Sequence, residues 1–299
     1  MPRVRLWGPL LATAAVLAVA GCSMTRFGYD ALPVWLHWQI ERYLDLDEPQ
    51  REIVSRRLDE LLHWHRRTQL PRYAEFLREV DAETAGGVDA VRIGRWREQV
   101  GEAWEMLADR LAPGFAELAL TLRPEQIARL RERLDDANAT ARETLLPSGE
   151  GARERARLER VIKRAEFLLG RLGRTQVRAL RPAIDELPSD EEVWMVEREA
   201  RQHHLLALLN RLQRDKPSRT EATRQCREFL VGFWQSRDAR RRHRLERGIE
   251  AGDALSARIF ADATPKQREH LSKLLRGFAD DFESLSRKAA QDRQADASR

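Results

Sequence analysis

Apolar residues recur every three or four positions along most of this 299-residue sequence. The stretches from Ile53 to His65 and from Leu271 to Leu285 keep this spacing over several turns. Such spacing places the apolar side chains on one face of an α-helix, where a core can cover them. Glu, Arg, Leu and Ala dominate and favour helix, whereas the alternating β-branched runs typical of strands are absent. The sequence therefore predicts an all-α fold.

Proline and glycine residues divide this helical pattern. Breaks are expected at Pro33, Pro49, Leu70-Pro71, Gly86-Gly87, Ala112-Pro113-Gly114, Pro124, Pro147 to Gly151, Gly170 to Gly173, Pro182, Pro188, Pro217, Gly248 to Gly252 and Pro265. They predict an irregular bundle of about eight to ten helices, with an elongated shape left open. No flexible linker divides the body. We expect one helical domain over residues 32–286, a lipidated tether at 22–31, and a polar, frayed tail at 287–299.

The N-terminus has the pattern of a secretion signal. Arg3 and Arg5 precede an uncharged apolar run from Leu10 to Ala20. This run has the length of a signal-peptide core and is too short to span a membrane. Residues 1–21 are therefore predicted to be a signal peptide that is removed.

The residues around Cys22 indicate how the mature protein is held. Val19-Ala20-Gly21-Cys22 resembles the bacterial lipobox, in which cleavage falls before the cysteine, here between Gly21 and Cys22. The sulfur then carries fatty acyl chains such as palmitate, and two or more chains make a stable anchor. In such lipoproteins an Asp after the cysteine favours the inner membrane, so Ser23 favours the outer membrane, on its periplasmic side. The alternative is a soluble secreted protein with a chance cysteine.

The amino-acid composition gives little further information on function. The formal net charge falls from +5 to +3 on cleavage, because the lost segment holds Arg3 and Arg5 and no acidic residue. That balance gives no argument for nucleic acid as a partner. Once Cys22 is lipidated, Cys226 is the single remaining cysteine and cannot form an internal disulfide. Its apolar neighbours predict a buried free thiol.

Four stretches begin a helix in the same way, with a glutamine three residues into it. The glutamines are Gln50, Gln126, Gln176 and Gln267. Asp47 and Thr264 are good N-caps that form capping boxes with the first and the last of them. The pattern resembles the Leu-Thr-x-x-Gln motif of small periplasmic helical chaperones. The alternative is that all four are only helix caps.

Longer stretches carry a family resemblance. They are YDALPVWLHWQIERYLDL, LLHWHRRTQLPRYAEFLREV, LAPGFAELALTLRPEQIARLRERLDDAN and the helix from Trp194 to Arg201. Together they resemble an uncharacterised family of Gram-negative lipoproteins, over roughly residues 15 to 285. Asp30 and Ala31 stand where that family usually has asparagines. The resemblance implies an all-helical, lipid-anchored envelope protein and carries no activity with it.

No catalytic, cofactor-binding or metal-binding residue is predicted. His63 and His65 are two apart on a helix, so their side chains point about 200° apart and cannot share one ion. His203 and His204 are also poorly placed, and no nucleophile elbow or phosphate-binding loop occurs. We therefore predict a protein that is not an enzyme, although a site assembled from distant residues stays an alternative.

Two further groups of residues point to surfaces. Trp35 and Trp38 share a face of the first helix, and either seat it in the core or rest at a membrane interface. The arginine-rich stretch from residue 237 to 247 offers contacts for anionic lipid or simply a solvated helix face. The residues proposed for that lipid contact are Arg240, Arg241, Arg242 and Arg244.

The sequence thus predicts a non-enzymatic, lipid-anchored envelope protein that binds or scaffolds an unknown envelope protein. Its predicted membrane contact runs through Cys22. A second hypothesis is a chaperone-like protein that holds unfolded clients on a concave helical surface.

Overall fold

The computed structural model describes residues 23–149, 151–188 and 191–297. Its α-helices are α1 (Ser23–Leu44), α2 (Glu48–Trp64), α3 (Leu70–Thr84), α4 (Ala90–Ala119), α5 (Pro124–Leu145), α6 (Ala152–Leu169), α7 (Arg174–Asp185), α8 (Glu191–Asp215), α9 (Arg219–Val231), α10 (Ala239–Ala261) and α11 (Pro265–Ala297). A π-helical segment, His65–Gln69, joins α2 to α3, so these two form one continuous helix. The described residues thus form ten helices and no strand, which confirms the all-α prediction.

Several predicted breaks are wrong, because the helix continues through them. Pro33 lies inside α1, Pro113 inside α4 and Pro182 inside α7. The helix α10 also runs unbroken through Gly248 to Gly252. A proline removes one helical hydrogen bond, but the packing of an apolar face against neighbouring helices outweighs that loss.

The predicted break at Leu70-Pro71 is a change of helix type. Pro71 has no N–H group to donate within the helix, and it lies in the first turn of α3. The wider π-turn of His65–Gln69 comes directly before this first turn of α3. It accommodates the missing hydrogen bond, so the helix continues.

The core consists of three clusters of buried side chains. The largest joins α2, α4, α5, α8 and α9, and Ile127, Leu209 and Leu212 are among its buried residues. A second joins α3, α6 and α11, and a third joins α6, α7 and α10. The long helix α11 packs along α3, and α9 packs along α4. The apolar faces read from the sequence are therefore the faces that pack.

Both ends of the described body are helical. The residues from Ser23 to Ala31, expected to act as a tether, form the first turns of α1. The helix α11 continues through the polar tail to Ala297, and Ala289 in that tail is buried. None of the described helices has an apolar run long enough to cross a bilayer.

Candidate functional site

The predicted lipidation site comes directly before α1 in the sequence. Cys22 and the cleavage point after Gly21 are outside the described residues, and α1 begins at the next residue, Ser23. The geometry of α1 therefore decides what stands beside the predicted anchor.

The outward face of α1 is apolar. Phe27 and Val34 are 74% and 75% exposed, and Trp38 is 52% exposed. Their spacings of seven and four residues place them on one side of the helix, together with the exposed Ala31. We call these four residues the outer stripe. Single exposed apolar residues are ordinary, but an aligned stripe indicates a surface that contacts something.

The two tryptophans of α1 have different surroundings. Trp35 is half-buried, whereas Trp38 belongs to the outer stripe. The guanidinium of Arg42 lies over the Trp38 ring, 5.5 Å from its centroid. Trp38 thus combines an exposed ring with an adjacent cation.

Polar contacts hold the inward face of α1 to the body. Arg26 Nε donates to Asp281 Oδ1 at 2.7 Å. The Tyr29 hydroxyl and His65 Nδ1 are hydrogen-bonded at 2.7 Å, and the two rings stack with centroids 5.8 Å apart. The first turns of α1 are therefore joined both to α11 and to the π-turn.

The Tyr29–His65 contact is partly buried, and this burial determines the protonation states of both side chains. Burial lowers the pKa of His65 to about 4 and raises the pKa of Tyr29 above its ordinary value. Both side chains are therefore neutral at pH 7. His63 is exposed, and its Nε2 lies 3.5 Å from Arg67 Nη1. In the described ranges no three His, Cys, Asp or Glu side chains are grouped so as to hold a metal ion.

The first two glutamines of the repeated motif meet in the interior. Gln50 and Gln126 are both 1% exposed. Each side-chain amide donates to the other's oxygen, at 3.1 and 2.7 Å. Gln50 also donates to the carbonyl of Thr121, and Gln126 to that of Asp45. The starts of α2 and α5 are thereby joined by a fully bonded polar pair.

The other two glutamines repeat this arrangement. Gln176 and Gln267 exchange amide bonds of 2.9 and 3.1 Å between the starts of α7 and α11. Gln176 also donates to the carbonyl of Asp262, and Gln267 to that of Arg171. The described body therefore contains the same helix-start junction twice.

The predicted capping boxes are confirmed, whereas the pairing was missed. Asp47 and Gln50 bond reciprocally, as do Thr264 and Gln267. The sequence signal for it is an apolar residue four positions before each glutamine, which directs each helix start toward the core. These residues are Leu46, Leu122, Leu172 and Ala263.

The arginine-rich stretch lies at the start of α10. Arg241 Nε donates to Glu197, and Arg242 Nη1 donates to the carbonyl of Ser236 at 3.1 Å. Arg240 and Arg244 are exposed. Of the four residues proposed for lipid contact, Arg241 and Arg242 thus have hydrogen-bond partners within the protein.

The predicted buried thiol is confirmed. Cys226 is free and fully buried in the largest core cluster. Burial raises the pKa of its thiol to about 12, so it is protonated and unreactive in the folded state.

An open apolar groove of about 250 Å³ lies between α1, α4, α5 and α8. Ile40, Phe115, Leu130 and Leu205 are among its lining residues. Gln39 also lines it, and the buried Oε1 of Gln39 has no hydrogen-bond partner among the described residues. The groove has the chemistry to receive an apolar group.

Fold and site define an all-α helical bundle with two paired-glutamine junctions and an apolar outer stripe on its first helix. Residues 42–231 match the model of a family of unknown function, DUF6279. The match covers more than half of the chain, so this protein belongs to that family. No curated protein and no solved structure matches it.

Proposed function

We propose that this protein is a lipid-anchored component of the bacterial envelope that binds another envelope protein without catalysing a reaction. One observation carries the proposal. The helix α1 begins directly after Cys22 and turns its apolar outer stripe away from the body, while Arg26 and Tyr29 bond its other face to that body.

The outer stripe suits the surface of a bilayer. An anchor on Cys22 would bring Phe27 to within about 8 Å of the modified residue along the helix axis, at 1.5 Å per residue. Apolar side chains and an amphipathic ring are favoured at that depth, and the cation of Arg42 beside Trp38 suits the headgroup layer. Membrane contact would then have two parts, the acyl chains and the first helix.

The same proposal includes a location in the cell and a kind of binding partner. Ser23 after the cysteine favours the outer membrane, and a periplasmic-facing body would meet other envelope proteins there. Crosslinking in intact cells followed by purification is expected to retain one or two defined envelope proteins. A mixture resembling the whole lysate would count against a specific partner.

The anchor is tested by Cys22→Ala, with Cys226→Ala as the matched control. We expect Cys22→Ala to abolish labelling by a fatty acid analogue and to release the protein into the soluble periplasmic fraction. The Cys226→Ala protein should stay labelled and in the membrane fraction. Membrane retention and labelling of Cys22→Ala equal to the control would refute the proposal.

A second function is favoured by the apolar groove, namely the holding of unfolded clients. The groove is open and lined almost entirely by apolar atoms. A chaperone should suppress the aggregation of a model client at near-stoichiometric ratio, and Ile40→Gln in the groove should weaken that effect. Ile249→Gln, at an exposed position outside the groove, is the control. No suppression by the unaltered protein at tenfold excess would end this second proposal.

A further inference from the structure

A small, partly open cavity of about 30 Å³ lies where α8 meets the connection between α9 and α10. From α8, Glu197, Arg201 and His204 line it on one face of the helix. Phe233, Arg237 and Arg241 line it from the facing segment. Three guanidinium groups and one carboxylate therefore converge on a single cavity.

The carboxylate is already neutralised. Glu197 is 3% exposed, and its Oε1 accepts bonds from Arg241 Nε and from the Ser236 hydroxyl, the latter at 2.7 Å. A buried carboxylate with a paired guanidinium and a second hydrogen bond needs no further cation. The charges of Arg201 and Arg237 are therefore in excess over the acidic groups of the cavity.

Neither of these two arginines forms an ion pair or a hydrogen bond with a carboxylate in the part of the chain that the structure describes. Aromatic rings position Arg201 instead, since its guanidinium lies 5.3 Å from the Phe233 centroid and 5.8 Å from that of Trp194. Stacking on ring faces leaves the edge of the guanidinium, which carries the N–H donors, free to bind a ligand. Arg237 is exposed at the cavity's edge.

We propose that this cavity binds a phosphate-type oxyanion, either free phosphate or the phosphomonoester headgroup of a lipid. The planar forks of arginine match the oxygens of such a group, and an anion would balance the two excess positive charges. A cavity of this size has room for about two water molecules, so it admits an oxyanion tip and excludes a ring or sugar. The exposed Trp194 and Trp234 flank the Phe233 side of the cavity.

The arginines of the arginine-rich stretch differ in their position relative to this cavity. Arg237 and Arg241 face the cavity, whereas Arg240 lies outside its lining. The proposal goes beyond the anchoring function and does not depend on it, because all the residues belong to the body. It can be tested with unlipidated protein, so failure of the anchor would leave its test intact.

The experiment is a calorimetric titration of the mature chain carrying Cys22→Ser with inorganic phosphate, at constant ionic strength. We expect saturable binding at one site per chain. Arg237→Gln and Arg201→Gln should each weaken binding at least tenfold, and Arg240→Gln should leave it unchanged within twofold. Arg237 is exposed and makes no hydrogen bond or ion pair in the described structure, so its variant should fold normally.

A second arm distinguishes the source of the phosphate. The same proteins are sedimented with vesicles containing phosphatidic acid, a phosphomonoester, or an equal charge of phosphatidylglycerol, a phosphodiester. Binding of phosphatidic acid vesicles that requires Arg237 but not Arg240 supports a lipid headgroup, and binding of free phosphate alone supports a soluble anion. Absence of binding in both arms would overturn the proposal. Equal losses in Arg237→Gln and Arg240→Gln would overturn it too, since they would indicate a general charge effect.

Discussion

Arg26 Nε lies 2.7 Å from Asp281 Oδ1, so the first turn of α1 is bonded to the last helix, α11. Asp281 is 1% exposed, and its Oδ2 has no hydrogen-bond partner among the described residues. Arg26 is the ion-pair partner that the structure gives to this buried carboxylate. The pair therefore holds the first turn of α1 against α11.

The first prediction concerns this ion pair. Arg26→Gln leaves the Asp281 carboxylate buried without its cation, which is strongly unfavourable. We expect the first turns of α1 to separate from α11 and their amides to exchange hydrogen at least tenfold faster. Arg42→Gln, at the other end of α1, is the control. Unchanged exchange near residue 26 in Arg26→Gln would show that the ion pair does not hold the helix.

The second prediction concerns the first glutamine pair. Gln50→Leu leaves the buried amide of Gln126 without its partner, so we expect a loss of about 1–3 kcal/mol in the free energy of unfolding. The double variant Gln50→Leu/Gln126→Leu should lose clearly less than the sum of the two single changes. Urea unfolding of all four proteins measures this coupling.

The second pair supplies the control for that experiment. Gln176 and Gln267 bond to each other and join the starts of α7 and α11, whereas Gln50 and Gln126 join those of α2 and α5. Gln50→Leu and Gln176→Leu should therefore be additive. Coupling between these two changes as strong as that within a pair would contradict the description of two separate junctions.

The third prediction is a pH dependence of stability. Burial lowers the pKa of His65 to about 4, below its ordinary value of 6.5. Between these values the unfolded chain binds a proton that the folded protein does not, so stability is complete above pH 6.5 and falls as the pH drops to 4. The slope is up to about 1.4 kcal/mol per pH unit.

The substitution His65→Gln should remove this component of the slope. The exposed His63 provides the control, because His63→Gln should leave the slope unchanged. Urea unfolding at several pH values between 4 and 7 measures both. Parallel curves for the unaltered protein and His65→Gln would show that His65 is not the group responsible.

The fourth prediction concerns the outer stripe. In a chain with Cys22→Ser, the double change Phe27→Ser/Val34→Ser should lower binding to lipid vesicles about tenfold, because it removes the two most exposed apolar side chains of α1. Val91 and Val100 are 70% and 58% exposed on α4, so Val91→Ser/Val100→Ser is the matched control. Equal binding by both double variants would locate the membrane contact elsewhere.

Local patterns in the sequence predicted what depends on neighbouring residues. The apolar spacing predicted the helices, and Asp47 with Gln50 predicted a capping box because the two groups are three residues apart. The apolar neighbours of Cys226 predicted its burial. Each of these features is decided within a turn or two of helix.

Features that depend on distant residues escaped prediction. The pairing of Gln50 with Gln126 requires two helix starts to meet across 76 residues of chain. Arg241 seemed available for lipid because Glu197, its buried partner 44 residues away, is visible only in the fold. Pro113 seemed to end a helix because single-residue preference does not include the packing that carries α4 through it.

The π-turn at His65–Gln69 has a consequence for the whole bundle. One extra residue in a turn rotates everything after it by about 100° about the helix axis. The helix α2 can therefore pack on α4 while its continuation α3 packs on α11, although both are one unbroken rod. A deletion of one residue within 65–69 would turn the packing face of α3 away from α11. This short segment therefore sets the rotation of α3 relative to α2.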